Sequence, residues 1–398
     1  MSSAVLLTGA TGFLGRDLLR KFVEELPPEQ TVYCLIRGHA QGKDKDQHLS
    51  PQQLADKRLV TLLSELGFHD RSDPRLRRVS AIAGDISQDG LGLSQAAYAE
   101  LAAQVEHIYH GAATVRFDQP LAEARRINVE GTRQILDLAL LAKRSGRAVR
   151  LSYIGTSFVA GTRRGRIYED ELVVDQVFHN TYEQTKAEAE ALVQKAIAEH
   201  GLRATLFRPS IIVGDSRTGE TSSFKVMYWP LKIFSRGLIP IVPASRAGVV
   251  DMVPVDYVIS AIWELSRRTD TVGGCYHLAA GPEGSTTIGE ALDQAAAFFR
   301  VRKPLFVPTE AFERYIRPLF HLFFRGKRRQ ALDAGRVYVP YLNYQASFDT
   351  EKTRAALRGT GIAPPSVRDY FAKLMRFCVD SDWGKRTIHP SAPRRPGQ

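Results

Sequence analysis

A glycine-rich octapeptide near the start of the chain constrains the fold more than any other feature. Residues 8–15 read Thr-Gly-Ala-Thr-Gly-Phe-Leu-Gly and lie between an apolar run, 4–7, and an amphipathic run, 16–26. A strand, a glycine turn and a helix in this order form a loop that binds the pyrophosphate of a dinucleotide. The three glycines permit, in chain order, a tight turn, close approach of the backbone to phosphate, and close packing of the helix on the strand. The N-terminus of the helix is predicted to face the phosphates. The residues of this loop predicted to bind the cofactor are Thr8, Gly9, Thr11, Gly12, Phe13, Leu14 and Gly15.

Short apolar runs alternate with amphipathic runs from residue 5 to residue 213. This alternation predicts an α/β fold with a parallel sheet covered on both faces, and the phosphate loop makes it a doubly wound Rossmann sheet. The predicted strands that follow the first are 31–37, 79–83, 105–109, 148–154, 204–207 and 274–279. The predicted helices that follow the first are 51–66, 94–103, 128–145, 180–200, the second half of 250–267, 288–299 and 309–324.

The alternation fails after residue 214, where Gly, Pro and aromatic residues interrupt the pattern. The remainder is predicted to form a smaller C-terminal lobe that binds substrate over the carboxyl edge of the sheet, where open α/β sheets bind ligands. The predicted division gives 1–215 plus 250–282 to an NADP-binding domain and 216–249 plus 283–385 to the lobe. The segment 386–398 is rich in Pro and Arg and is predicted to be a disordered tail.

Composition places the chain among soluble globular proteins, with 44% hydrophobic and 24% charged residues. No run approaches the roughly 18 apolar residues of a membrane span. The three cysteines are scattered, which favours a reducing cytoplasm, and neither they nor the histidines have the spacing of metal ligands. The formal net charge of +11 comes with no nucleic-acid-binding motif, so we expect no nucleic-acid partner.

Residues at the ends of the predicted second, third and fourth strands complete the expected cofactor site. Arg37 ends the second strand, where a basic side chain suits a ribose 2′-phosphate, and this favours NADPH over NADH. Asp85 ends the third strand and is expected to accept a hydrogen bond from the adenine amino group, with Ile86 packing on the ring. Small residues after the fourth strand, which let a cofactor lie against the backbone, are Gly111, Ala112, Ala113 and Thr114.

A tyrosine and a lysine are spaced for proton transfer on the helix predicted over 180–200. Tyr182 and Lys186 are four residues apart and therefore share a helix face. A cation beside the phenol is expected to lower its pKa from the usual value of about 10, which makes Tyr182 a proton donor or acceptor near neutral pH. Thr156 follows the predicted fifth strand, and its hydroxyl is expected to hold a substrate carbonyl oxygen beside the phenol.

These motifs resemble those of the extended short-chain dehydrogenase/reductases, through TGATGFLG, GDIS, YIGTS and YEQTK. The runs AIAGDISQDGLGLS, HGAATVRFDQP and INVEGT resemble one branch more closely. This branch contains fatty acyl-CoA reductases, male sterility proteins and the thioester reductase domains of carboxylic acid reductases and peptide synthetases. The resemblance covers about residues 4–256. Gly111 departs from it, because the branch has Asn there, and Gly155 replaces the usual Ser.

The resemblance implies a role for each matching residue. Tyr182 would protonate the carbonyl oxygen as hydride arrives, Lys186 would bind the nicotinamide ribose, and Thr156 would complete the contact with the oxyanion. Asn128 would shape the site and hold a water of a proton relay. The residues implied to line the nicotinamide pocket are Pro209 and Ser210.

The expected function is NADPH-dependent reduction of fatty acyl thioesters, carried by coenzyme A or an acyl carrier protein, to an aldehyde. Whether a second hydride transfer gives the alcohol stays open. Two alternatives stay open: another extended enzyme, such as a nucleotide-sugar epimerase or dehydratase or a hydroxysteroid-type dehydrogenase, and a non-catalytic NADPH-binding sensor. The segment 312–330 interleaves Phe, Leu and Ile with Arg and Lys. Three functional interpretations fit this pattern: a peripheral membrane contact, an entrance for an acyl chain, or a docking site for an acidic carrier protein. The alternative is an ordinary helix that faces the core and has a solvated basic end. The expected location is the cytoplasm.

Overall fold

Seven parallel strands form the central sheet in the computed structural model, which describes residues 3–39, 48–70, 72–173, 176–224, 227–323, 325–326 and 335–386. The strands are β1 (Ala4–Thr8), β2 (Thr31–Ile36), β3 (Val79–Ala83), β4 (Val105–His110), β5 (Arg150–Ile154), β6 (Arg203–Pro209) and β7 (Cys275–Leu278). Their order across the sheet is β7-β6-β5-β4-β1-β2-β3. The order reverses at β1, and ligands of doubly wound sheets bind in the crevice at this point.

The longer helices are α1 (Phe13–Glu25), α2 (Pro51–Glu65), α3 (Gln95–Gln104), α4 (Gly131–Arg144), α5 (Thr181–His200), α6 (Tyr228–Phe234), α7 (Val255–Arg267), α8 (Ile288–Phe299), α9 (Arg317–Phe323) and α10 (Val367–Asp380). Helices α1, α2 and α7 bury their apolar residues against one face of the sheet. Helices α3, α4 and α5 do the same on the other face. The predicted doubly wound fold is therefore confirmed.

Helix boundaries differ from the sequence pattern at two functional segments. Helix α1 begins at Phe13, so the last glycine of the octapeptide lies within the helix. The predicted helix 128–145 begins within a π-helical turn, Arg126–Glu130, and α4 follows this turn. Such turns add one residue to a helix and are frequent at functional sites. The hydrophobic period alone does not reveal the inserted residue.

A third apolar cluster lies among α6, α8 and α10, away from the central sheet. The chain near Ala346–Phe348 returns from this region to the sheet side and pairs with Gly165–Ile167. Leu357, just beyond, packs in the core beneath α1 and α7. The predicted division into two domains stays a prediction.

The structure describes only part of the basic segment 312–330. A π-helical turn, Phe312–Ile316, leads into α9, and Tyr315 and Leu319 are 61% and 54% exposed. Residues 324 and 327–330 lie outside the described residues, as do residues 387–398 of the predicted tail. Among the helices that are described, none combines the length and apolarity needed to cross a membrane. A peripheral membrane contact and a cytoplasmic location stay predictions.

Candidate active site

The glycine turn after β1 leaves no room for side chains. Gly9 has a φ of +79°, and a Cβ on it would lie 2.8 Å from the backbone nitrogen of Ala112. A Cβ on Gly15 would lie 2.0 Å from the Gly9 carbonyl oxygen, so α1 packs directly on the turn. The Gly12 N–H donates to that carbonyl at 2.9 Å. No described side chain caps α1, so its first N–H groups are oriented to bind an anion.

A buried hydrogen-bond chain supports the turn from behind. The Thr8 hydroxyl lies 2.8 Å from His110 Nδ1, and His110 Nε2 lies 3.1 Å from the Thr132 hydroxyl. Burial lowers the pKa of His110 to about 3, so its ring is neutral and donates from one nitrogen while accepting at the other. The Ala112 N–H donates to the Thr8 hydroxyl at 3.2 Å. This chain fixes Ala112 beside Gly9.

The predicted catalytic hydroxyls come from two elements that end or begin at the same edge of the sheet. Thr156 follows β5, and its Oγ1 accepts the Phe158 N–H at 3.3 Å, which starts a short 3₁₀ turn. Asn180 caps α5 by accepting the Glu183 N–H at 3.0 Å, and Tyr182 lies in the first turn. Thr156 and Tyr182 line the same cavity as the glycine turn.

The electrostatics of the tyrosine–lysine pair differ from the expectation. Burial raises the pKa of Tyr182 to about 12; the Thr156 hydroxyl lowers it and the Glu183 carboxylate raises it further. The Lys186 ammonium donates to the Ile154 carbonyl at 2.9 Å. Burial also lowers the pKa of Lys186 to about 8, although Glu190 opposes this shift. The expected lowering of the phenol pKa is wrong for this form of the protein, in which Tyr182 is protonated and able to donate.

Asn128 occupies the π-helical turn before α4 and is buried. Its Oδ1 accepts the Thr114 N–H at 2.8 Å, and its Nδ2 donates to the Thr114 carbonyl at 3.2 Å and to the Thr185 hydroxyl at 2.9 Å. The amide therefore joins the loop after β4 to α5. It supports the site from behind the cavity wall.

The predicted contacts to the adenosine half lie farther along the sheet edge. Arg37 is exposed just beyond β2, and Arg58 donates to its carbonyl at 2.5 Å and to the His39 carbonyl at 3.0 Å. Asp85 Oδ1 accepts from the backbone N–H and hydroxyl of Ser87, at 2.9 and 2.8 Å. Ile86 packs in the core beside α4. The bonds from Arg58 engage backbone carbonyls, and among the described residues none forms a hydrogen bond with the Arg37 guanidinium.

A cavity of about 1230 Å³ joins the glycine turn to the C-terminal part of the chain. The predicted site residues that line it are Thr8, Gly9, Thr11, Gly12, Phe13, Leu14, Gly15, Ala113, Thr156, Tyr182, Lys186, Pro209 and Ser210. Those outside its wall are Arg37, Asp85, Ile86, Ala112, Thr114 and Asn128. No group of three or more potential metal ligands occurs among the described residues.

Aromatic and aliphatic side chains that sequence reasoning did not single out form most of the remaining wall. They include Phe117, Phe158, Trp229, Leu292 and Tyr341. These residues come from loops and helices that are distant in sequence, and no local motif marks them. A cavity of this composition suits a long apolar group better than a polar one.

Comparison with known proteins gives a consistent picture. A family described as male sterility protein matches residues 7–262. A nonribosomal peptide synthetase, asaC, of Aspergillus flavus is 34% identical over 300 residues, which are 71% of this chain and 27% of that protein. A putative fatty acyl-CoA reductase of Drosophila melanogaster is 28% identical over 324 residues, 72% of this chain and 56% of that protein. The chain thus spans little more than half, or less, of these relatives.

Among solved structures, the terminal R domain from the myxalamid PKS-NRPS biosynthetic pathway has a TM-score of 0.79 and 29% identity. The alignment covers 96% of this chain and 91% of that domain. The similarity therefore includes the C-terminal part of the chain, beyond residue 262, as well as the Rossmann sheet.

Proposed function

The chain belongs to the male sterility protein family of NAD(P)-binding oxidoreductases, and from this membership we propose that it is an NADPH-dependent reductase of fatty acyl thioesters. The thioester would be carried by coenzyme A or by an acyl carrier protein. One observation carries the proposal: Tyr182, Thr156 and the glycine turn line one cavity, whose remaining wall is mainly apolar. The two hydroxyls beside the glycine turn suit chemistry at a carbonyl, and the apolar wall suits a hydrocarbon chain.

The residues present fit a dinucleotide. Gly9 and Gly15 let the turn and α1 pack closely on the backbone around them, and the uncapped start of α1 after Gly12 would receive a pyrophosphate. Pro209 ends β6 and Ser210 follows it, and both line the cavity, where they would flank a nicotinamide. Lys186 lines the same cavity and would bind the nicotinamide ribose. When bound, reduced nicotinamide supplies the hydride for the carbonyl carbon.

The chain's own residues handle the oxygen and the proton. Tyr182 is protonated at neutral pH, so it donates its proton to the carbonyl oxygen as negative charge develops there. The Thr156 hydroxyl donates a hydrogen bond to the same oxygen. The resulting hemithioacetal loses its thiol and becomes the aldehyde. One thioester, one reduced nucleotide and one proton thus give one aldehyde, one thiol and one oxidised nucleotide.

The preference for NADPH rests on Arg37. Its exposed side chain follows β2, where the adenosine ribose of a Rossmann cofactor lies, and a guanidinium suits a 2′-phosphate. We expect Arg37→Glu to raise KM for NADPH by at least about tenfold and to leave KM for NADH within about twofold. Initial rates with each nucleotide test this. An equal change for both nucleotides would contradict the assignment.

The direct test of the function combines purified protein, NADPH and palmitoyl-coenzyme A, with nucleotide absorbance and product mass spectrometry as readouts. We expect loss of absorbance, free thiol and hexadecanal, followed by hexadecanol if a second reduction occurs. Tyr182→Phe should lower turnover by at least about 100-fold while nucleotide binding persists, because only the proton donor is lost. Turnover of a nucleotide sugar or a steroid, with none on thioesters, would overturn the proposal.

A further inference from the structure

A buried carboxylate lies beside the proposed proton donor and has no part in the reaction described above. Glu183 follows Tyr182 in α5, and its side chain is fully buried. Its Oε2 accepts from the backbone N–H of His179 at 2.9 Å and lies 3.0 Å from the ring Nδ1. Its Oε1 accepts a hydrogen bond from the Tyr341 hydroxyl, which in turn accepts one from Asn180 Nδ2 at 2.6 Å. Asn180, which caps α5, and Glu183, in its first turn, thus both bind the hydroxyl of Tyr341.

The ring of Tyr341 packs on two phenylalanine rings, each of which lies next to one of the proposed catalytic residues. On one side it stacks on Phe117, with ring centroids 5.6 Å apart, and Phe117 lies 5.8 Å from the ring of Tyr182. On the other side it meets Phe158 edge-on, with centroids 5.4 Å apart. Phe158 is the residue whose N–H binds the Thr156 hydroxyl. Movement of Tyr341 would therefore be transmitted to both hydroxyls.

We propose that Tyr341 is a positioning residue that keeps the hydroxyls of Tyr182 and Thr156 directed at one carbonyl oxygen. The inference rests on the proposed function and adds a residue to it. The Tyr341 hydroxyl is engaged by Glu183 and Asn180, so it acts through the groups it holds and does not transfer a proton itself. Small displacements of reacting groups have large effects on rate, so the lost restraint appears mainly in kcat.

Tyr341→Phe tests the role, because it removes the hydroxyl and keeps the ring. We expect kcat to fall about tenfold, KM for the acyl thioester to stay within about twofold, and the solvent deuterium isotope effect on kcat to rise as proton transfer becomes slower. The matched control is Tyr370→Phe, which removes another buried phenol, one that donates to the Met252 carbonyl at 2.9 Å. The control should keep the wild-type kcat and isotope effect per folded molecule.

A double-mutant cycle with Glu183→Gln tests whether the two residues act as one unit. We expect the double variant to be no slower than the slower single variant. A kcat for Tyr341→Phe equal to that of the wild type, or fully additive losses in the double variant, would overturn the inference. If Tyr341→Phe folds poorly, Asn180→Ser keeps an N-cap acceptor for α5 and removes the amide donor to the Tyr341 hydroxyl. It carries the same kinetic test, with an unchanged kcat and isotope effect counting against the role.

Two further measurements separate this inference from the proposed function. Hydrogen–deuterium exchange needs no substrate: peptides covering 181–186 should exchange faster in Tyr341→Phe and not in Tyr370→Phe. The kinetic comparison is also run with decanal as the carbonyl substrate. A wild type that reduces decanal but no thioester would defeat the proposed function alone, whereas unchanged exchange in Tyr341→Phe would defeat the positioning role alone.

Discussion

The folded protein disfavours the charged form of Lys186. Its pKa falls from 10.5 to about 8, chiefly because the ammonium is buried. Between these values the unfolded chain binds a proton that the folded chain has released, so stability rises with pH through this window. From pH 7 to pH 9.5 this group should add about 2 kcal/mol to the free energy of unfolding.

Lys186→Met should lack this gain, because methionine has no proton to release. Urea denaturation of the nucleotide-free protein at several pH values measures it. Lys195→Met is the matched control, since Lys195 lies on the same helix with a largely exposed side chain, and this variant should keep the rise. An equal rise in Lys186→Met and the wild type would contradict the assignment.

Gly15 is constrained by contact and not by its backbone angles. A methyl group there would lie 2.0 Å from the Gly9 carbonyl oxygen, so Gly15→Ala must push α1 away from the turn. We expect NADPH affinity to fall by at least about 100-fold, because the helix N-terminus is displaced from the pyrophosphate. Isothermal titration calorimetry measures the affinity.

Gly146→Ala separates this effect from general destabilisation. Gly146 has a φ of +82° and open space around its Cβ position, so alanine there costs about 1 kcal/mol of stability without a clash. Its nucleotide affinity should stay at the wild-type value. Wild-type affinity in Gly15→Ala would show that the turn tolerates a side chain, and equal loss in both variants would assign the effect to lost stability.

Among the elements, α5 joins the chemistry of the site to the stability of the sheet. Glu190 forms an ion pair with Arg208 at 2.6 Å, and neither side chain is exposed. Glu188, two residues earlier, pairs with Arg125 at 2.7 Å, where the side chains are 23% and 47% exposed. The two pairs have nearly equal lengths but very different surroundings.

Burial decides what each pair contributes. Arg208→Met leaves the Glu190 carboxylate in the core without its cation and should lower the free energy of unfolding by about 3–5 kcal/mol. Arg125→Met leaves Glu188 in contact with water and should cost less than about 1 kcal/mol. Chemical denaturation of the two variants and the wild type measures both losses in the free energy of unfolding. Similar losses would show that water reaches the buried pair.

The elements also show what the sequence can predict. Strand–helix alternation predicted a parallel, doubly wound sheet, and i,i+4 spacing predicted that Tyr182 and Lys186 share a face of α5, because both signals are local. The contact between Glu183 and Tyr341 joins residues 158 positions apart. It depends on how the C-terminal segment returns to the sheet, and no periodic pattern records that path. The altered phenol pKa has a similar origin, since burial is a property of the packed fold.

At the scale of the whole molecule, the cavity is built from both the Rossmann sheet and the region around α6, α8 and α10. The glycine turn and Tyr182 contribute the polar end of its wall. Leu292 of α8 belongs to the apolar part, where it packs with the third apolar cluster. Under the proposed function, α6 and α8 would bound the space for the acyl chain, while the sheet edge would hold the reacting groups.

Leu292→Trp should shorten the space without touching the reacting groups. We expect kcat/KM for palmitoyl-coenzyme A to fall by at least about tenfold relative to that for octanoyl-coenzyme A, since each methylene excluded from an apolar pocket costs about 1 kcal/mol or more. Val379→Trp is the control, because Val379 is 48% exposed on α10 and does not line the cavity. Its chain-length ratio should match the wild type. If Leu292→Trp lowers both values of kcat/KM by the same factor, the acyl chain does not pass α8 and must leave the reaction centre along another wall.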